Sequence, residues 1–180
     1  MSTWWFVSCA LIFLLLLFTG YFVAQKTLTY CSENQPLSIV RLRSDMRRIC
    51  NALSKNKHLD PDVQLLLYRF DTASICKGTS SITINKRHIR ICISDKHREY
   101  YDILLFVCIH ELAHVMTPEW GHGANFWENM GLLLATAKEL NMLDPDQVRD
   151  RLESQSNVLH CGKQLTKEYV PPRHLYDRWL

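Results

Sequence analysis

The stretch His110-Glu111-Leu112-Ala113-His114, continuing as Val115-Met116-Thr117-Pro118-Glu119-Trp120-Gly121-His122-Gly123, decides how this chain is read. Positions four apart lie one above the other on one face of an α-helix. The imidazoles of His110 and His114 can therefore reach one Zn²⁺, each through a nitrogen at about 2.0–2.1 Å. Glu111, beside the first of them, is then placed to take a proton from a water that the metal polarises. The motif has this meaning only on a helix, and the preceding residues supply one. Tyr100 to Ile109 runs into His110 without Gly or Pro and is apolar almost all round, as suits a helix buried in a domain. Asp95 and Asp102 are candidate N-caps. Pro118 turns Thr117 away from helical geometry and closes the segment.

A catalytic zinc has three protein ligands and an open position. His122 is the first candidate for the third ligand, because Gly121 and Gly123 permit a sharp turn that returns the chain to the helix end. Glu128 competes, since it would rise from the next helix as in sites built from two His and one Glu. A reading without metal, in which His110 and His114 are core histidines satisfied by hydrogen bonds, is the bland alternative.

His-Glu-Leu-Ala-His followed by Gly121-His122-Gly123 and Phe126 resembles the active site of zincin-type metallopeptidases of the SprT-like and WLM groups. That resemblance implies that His122 completes the zinc site and that Phe126 packs beneath it. Arg69-Phe70-Asp71, Thr83-Ile84-Asn85-Lys86, Phe126-Trp127-Glu128-Asn129 and Cys161-Gly162 extend it. Together these segments look like a set of membrane-anchored metallopeptidases of large DNA viruses. The spacing before His122 is shorter than in SprT-like proteins and longer than in WLM proteins, a departure that bears on substrate class more than on metal binding.

Outside the motif the chain divides into an N-terminal anchor (1–25), a juxtamembrane amphipathic region (26–60), a zincin-like domain (61–162) and an extended C-terminal tail (163–180). Trp4 to Ala24 carries no charged residue. Its length at 1.5 Å per residue is about 31 Å, the thickness of a bilayer's hydrocarbon core. Trp4, Trp5 and Tyr21 sit where interfacial aromatics belong. A cleaved signal peptide fits less well, because no Lys or Arg precedes the apolar run. Lys26, then Arg41, Arg43, Arg47 and Arg48, follow the segment, and positive-inside bias places the catalytic domain on the cytoplasmic side of a host or virion membrane. The Arg cluster reads as a solvated helix face or as a contact with anionic lipid.

Ile39, Leu42, Met46, Ile49 and Leu53 form one stripe of a helix, and Asp60-Pro61 caps and opens a second whose buried face is Val63, Leu66, Leu67 and Phe70. From Ser81 the period changes to two. Ser81 to Asn85 and His88 to Ile93 alternate as half-buried strands, with Asn85-Lys86-Arg87-His88 as the turn between them. By the zincin resemblance, Ile82, Thr83, Ile84 and Asn85 form the edge strand that pairs with an extended peptide substrate. An unpaired edge offers the donors and acceptors for this.

Ala124 to Leu140 is a second long helix with Phe126, Met130, Leu133, Leu134, Ala137 and Leu140 on its buried stripe. A short helix follows from Asp144-Pro145-Asp146 to Leu152. His160 and Cys161 read as tail residues packed over the core, and Val170 to Leu180 as an extended arm. The fold class expected is α+β, mainly helical, with a small hairpin sheet beside the H-E-x-x-H helix.

The formal charge of +3 is too mild to imply nucleic acid, and an anchor argues against it. Lys86, Arg87, His88, Arg90, Lys96, His97 and Arg98 make the hairpin region basic. That region reads as a solvated face, a surface for acidic peptide or phosphate, or a nucleic-acid contact. Cys9, Cys31, Cys50, Cys76, Cys92, Cys108 and Cys161 are scattered without a C-x-x-C pair, which speaks for reduced thiols.

The function expected is a membrane-anchored zinc endopeptidase acting on protein or peptide. Tyr100, Tyr101, His97 and His160 are unranked candidates for stabilising the oxyanion. One rival is a scaffold protein, for instance a virion component with partners at the membrane, that keeps zinc as a structural ion. Another is a SprT/WLM-like protease acting on DNA–protein crosslinks.

Overall fold

The computed structural model describes residues 12–19, 31, 34–55, 60–93, 100–155 and 158–180. Two compact units result, residues 1–30 and 31–180. In the first, residues 12–19 form a helix, α1, whose apolar side chains from Ile12 to Phe18 are all exposed. Among the described residues no helix is long and apolar enough to cross a membrane. The remainder of the expected 4–24 span lies outside the described residues, as do Cys9, Lys26, Asp95, Lys96, His97 and Arg98.

The second unit is a mixed helical domain with a small sheet. Helices α2 (Leu37–Leu53), α3 (Pro61–Arg69), α4 (Tyr101–Met116), α5 (Ala124–Glu139) and α6 (Pro145–Ser154) carry the core. Strands β1 (Ile75–Gly78), β2 (Ile82–Ile84) and β3 (His88–Cys92) form one sheet, and β4 (Leu159–His160) with β5 (Lys163–Gln164) a second. A helix, α7 (Arg173–Asp177), ends the chain.

Helix α4 is the axis. From Ile103 to Met116 only His110 and His114 are not fully buried, as the all-round apolar pattern requires. The first turn differs from expectation. Tyr100 occupies the N-cap without a side-chain hydrogen bond, and Asp102 sits in the first turn, where its carboxylate pairs with Arg151 of α6. At α3 the expected cap is present: Asp60 accepts a hydrogen bond from the Asp62 amide, with Pro61 at the first helical position.

The stripe read on α2 is buried as expected, so α2 belongs to the compact unit rather than to a separate juxtamembrane region. Its arginines are also engaged within the fold. Arg43 donates to the Ile75 and Ala73 carbonyls, Arg47 to the Thr72 hydroxyl, and Arg41 lies 3.7 Å from the centre of the Tyr101 ring. A solvated or lipid-facing cluster was expected; the cause of the difference is the β1 segment, whose entry turn exposes carbonyls along α2.

The sheet order is β1-β3-β2, with β1 parallel and β2 antiparallel to β3. The three-residue hairpin loop Asn85 to Arg87 places both Asn85 (φ 52°) and Lys86 (φ 54°) in the left-handed region. Lysine is costly there. Compensation comes from its ammonium, which donates to the Glu119 carbonyl at 2.6 Å and lies over the Trp120 ring.

Two disulfides, Cys31–Cys76 and Cys92–Cys161, replace the reduced thiols expected from the scattered spacing. Cys50 and Cys108 stay free, Cys108 fully buried. The first crosslink ties the start of the unit to β1, and the second ties the β4–β5 turn to the end of β3.

The C-terminal residues are not an extended arm. Lys167–Tyr169 form a 3₁₀ turn, and α7 packs on α5 with Tyr176 fully buried, its hydroxyl donating to Asp146. Gly131 permits that approach: a Cβ built there would stand 2.5 Å from the Leu175 carbonyl oxygen. Replacing Gly131 by Ala therefore forces α7 to shift. The expected result is a loss of about 1–3 kcal/mol in chemical denaturation, with Trp179 fluorescence reporting the displaced terminus; an unchanged midpoint would contradict this packing.

Candidate metal centre

The last two turns of α4 present His110, Glu111 and His114. Helix α4 ends where Thr117 adopts extended backbone before Pro118, and the Thr117 hydroxyl caps by donating to the Ala113 carbonyl at 2.8 Å. Asn129 of α5 donates to that hydroxyl and to the Asp62 carboxylate of α3, so the start of the returning loop is bolted to two helices. Gly121, at φ 87°, makes the left-handed bend that the loop needs. Gly123 is extended and carries no such requirement.

That loop brings His122 onto the helix pair. One ligand atom from each of His110, His114 and His122 lies within 4.8 Å of the others, and the Nε2 atoms of His110 and His122 are 3.1 Å apart. Phe126 supports all three rings, with centroid distances of 5.0, 4.5 and 4.6 Å to His110, His114 and His122. Trp127 flanks His122 at 5.9 Å. Glu128 is not part of the cluster; its carboxylate pairs with Arg178 near the C-terminus.

The donor set fits a divalent ion. Burial, reinforced by the neighbouring imidazoles, pushes His110 down to about 3 and His114 to about 4, and burial also lowers His122. All three rings are therefore neutral at pH 7, the form that ligates metal. Three neutral imidazoles around a common point match the preference of zinc for nitrogen donors, and leave a coordination position for a non-protein group.

Glu111 is 7% exposed, and burial pushes its carboxyl up to about 7, opposed by hydrogen bonds with Thr83 and the charge of Lys163. The Thr83 hydroxyl lies 2.7 Å from the Glu111 carboxylate and 2.8 Å from its carbonyl oxygen. A carboxyl poised near neutrality can both take and return a proton.

These groups line a cleft of about 460 Å³. It is lined by α4, by β2 and the loop at Trp120, and by the β4–β5 hairpin with Tyr169. Of the expected edge strand, Ile82 and Thr83 line the cleft, whereas Ile84 and Asn85 do not. Strand β2 is the edge of its sheet among the described residues. Of the oxyanion candidates, His160 lines the cleft, hydrogen-bonded to Ser81 at 2.6 Å. Tyr101 is turned away to Asp45, and Tyr100 lies under Arg151.

His160 and Cys161 are thus cleft residues rather than covering tail. The Cys92–Cys161 bond and the Ser81–His160 contact hold their hairpin against the main sheet. Sequence reading also missed Tyr169, whose ring is 6.2 Å from that of His110, and Lys163. Neither lies in a periodic segment or a motif; an odd cysteine beside Gly162 was the one local signal that the hairpin is fixed.

Known proteins offer similarity without function. The chain is 42% identical over 73 residues to the uncharacterized protein 136R of Invertebrate iridescent virus 6, covering 38% of this chain and 41% of that one. It is 38% identical over 79 residues to the uncharacterized protein 042R of Invertebrate iridescent virus 3, covering 42% of this chain and 50% of that protein. The matched region therefore spans half or less of either relative. No protein-family description matches the chain, and no solved structure does.

Proposed function

We propose that this chain is a viral zinc metallopeptidase tethered to a membrane by its N-terminal apolar segment. The observation that carries the reading is the convergence of three neutral imidazoles beside a buried carboxyl near neutrality, in a cleft bordered by a sheet edge. Similarity to proteins of invertebrate iridescent viruses supports the viral part. The exposed apolar helix at residues 12–19 supports the tether.

His110, His114 and His122 would hold the zinc. When bound, the ion supplies Lewis acidity that polarises water and the scissile carbonyl. Phe126 keeps the three rings oriented before any ion arrives. Glu111 accepts a proton at its carboxylate and returns it to the leaving amine. Thr83 restrains that carboxylate with one hydroxyl hydrogen bond. Strand β2 offers free backbone groups to an extended peptide. Glu111 also separates this reading from a structural zinc site, which is closed by four protein ligands and has no use for a buried carboxyl beside them.

Two signals bear on the side of the membrane. Basic residues after the apolar segment favour the cytoplasmic face, whereas two disulfides favour oxidising surroundings. The arginines are engaged within the fold, so the crosslinks weigh more.

The test compares newly formed peptide termini in membranes carrying the wild-type or the Glu111→Gln chain, with zinc measured in both proteins. Termini that depend on Glu111 support the proposal. Identical terminus sets from two zinc-loaded proteins refute it and favour the scaffold alternative.

A further inference from the structure

Few of the residues lining the cleft carry charge. Among the described residues, Glu111 is the one carboxylate lining it, and the lining cations are Lys86 and Lys163. Lys86 is spent on the fold: it is 8% exposed, bonded to the Glu119 carbonyl and covered by Trp120. Lys163 is different. It is exposed and makes no hydrogen bond or ion pair among the described residues.

Register fixes where Lys163 points. It is the cross-strand partner of His160, and directly opposed residues of an antiparallel pair project on the same face. His160 faces the cleft, held there by Ser81, so Lys163 faces it too. The strand is short, yet the Cys92–Cys161 bond braces the turn two residues before it. Ile82, Phe106, Val107, Leu165 and Tyr169 supply apolar surface to the same cleft.

We propose that Lys163 makes the cleft selective for peptides bearing an acidic side chain beside the scissile bond, flanked by apolar residues. This deepens the peptidase reading and rests on it. An unpaired ammonium lining the same cleft as the β2 edge meets a carboxylate of a bound strand without any rearrangement of the fold. A lysine at the same substrate position would face like charge.

The experiment uses three fluorogenic peptides that differ only in Glu, Gln or Lys next to the cleavage point. Each is assayed with the full-length, zinc-loaded wild type, Lys163→Glu and Lys163→Gln. Binding of the same peptides to the Glu111→Gln chain, with and without Lys163→Glu, is followed by anisotropy. The wild type should prefer the Glu peptide over the Lys peptide by about fivefold in kcat/KM, chiefly through KM, as a solvent-exposed ion pair gives. Raising salt from about 0.05 to about 0.5 M should erase most of this. Lys163→Glu should reverse the order, and Lys163→Gln should flatten it. An unchanged order, or an equal loss for all three peptides, overturns the assignment. Should the Glu111→Gln chain bind with a Lys163-dependent preference while the wild type cleaves nothing, the acidic subsite stands and the peptidase reading falls.

Discussion

Replacing Glu111 by Gln should lower kcat by roughly 10²–10⁴, the contribution of a positioned general base, while zinc stoichiometry and thermal midpoint stay at wild-type values. The substitution keeps side-chain volume and leaves a group that can bond the Thr83 hydroxyl, so the 7%-exposed pocket remains filled. Without a metal, burial brings the native carboxyl to about 7, so much of its population is then uncharged near neutral pH. A neutral amide there consequently costs the fold little. What is lost is the ability to take a proton. Steady-state kinetics on any cleaved peptide, with metal analysis of the same sample, reads the effect. A variant within threefold of wild type would mean that proton transfer lies elsewhere.

Replacing His122 by Ala acts on the metal rather than on the proton. Altering residues that only orient ligands costs 10–100-fold in metal affinity, so removing a ligand should cost at least about 100-fold. At a zinc concentration of about 1,000 times the wild-type Kd, the ion stabilises the fold by about 4.1 kcal/mol, and a hundredfold weaker site retains about 1.4 kcal/mol. The difference lowers the zinc-loaded melting midpoint by roughly 5–11 °C for a domain of this size. Without zinc the two proteins should melt together, because His122 is solvent-exposed and packs mainly on Phe126 and Trp127. Competition against a chromophoric chelator and paired melting curves measure both quantities. If zinc still raises the variant's midpoint as much as the wild type's, His122 is no ligand.

The parts of this molecule legible in the sequence are those governed by local periodicity and capping. Helices α2, α3, α4, α5 and α6 fall close to where their apolar spacing and the Asp-Pro starts place them. The β2–β3 hairpin and the three-histidine cluster obey the same logic, because i, i+4 spacing and one left-handed Gly determine their geometry locally. Strand β1 was not legible. Its four residues, Ile75 to Gly78, are too few to display a period, and it is a strand because β3 pairs with it in parallel. The disulfides escaped because pairing partners 45 and 69 residues apart depend on the finished fold. Helix α7 escaped for a related reason. Val170-Pro171-Pro172 reads as extended, and Arg173 to Asp177 is nevertheless helical because Gly131 lets Leu175 approach α5. The cleft wall formed by the β4–β5 hairpin combines both difficulties, two-residue strands and a long-range crosslink.

The bond between Cys92 and Cys161 has a practical corollary for anyone handling the protein. Tris(2-carboxyethyl)phosphine, a reductant that carries no zinc-binding thiols, would cut it and loosen the hairpin that carries His160 and Lys163, while the three imidazoles, resting on Phe126, would still be placed to hold an ion. Such a preparation would pass a metal assay and fail a turnover assay. Dialysis into a glutathione couple poised towards oxidation should bring turnover back; if reduced and oxidised samples work equally well, the hairpin's tether is dispensable.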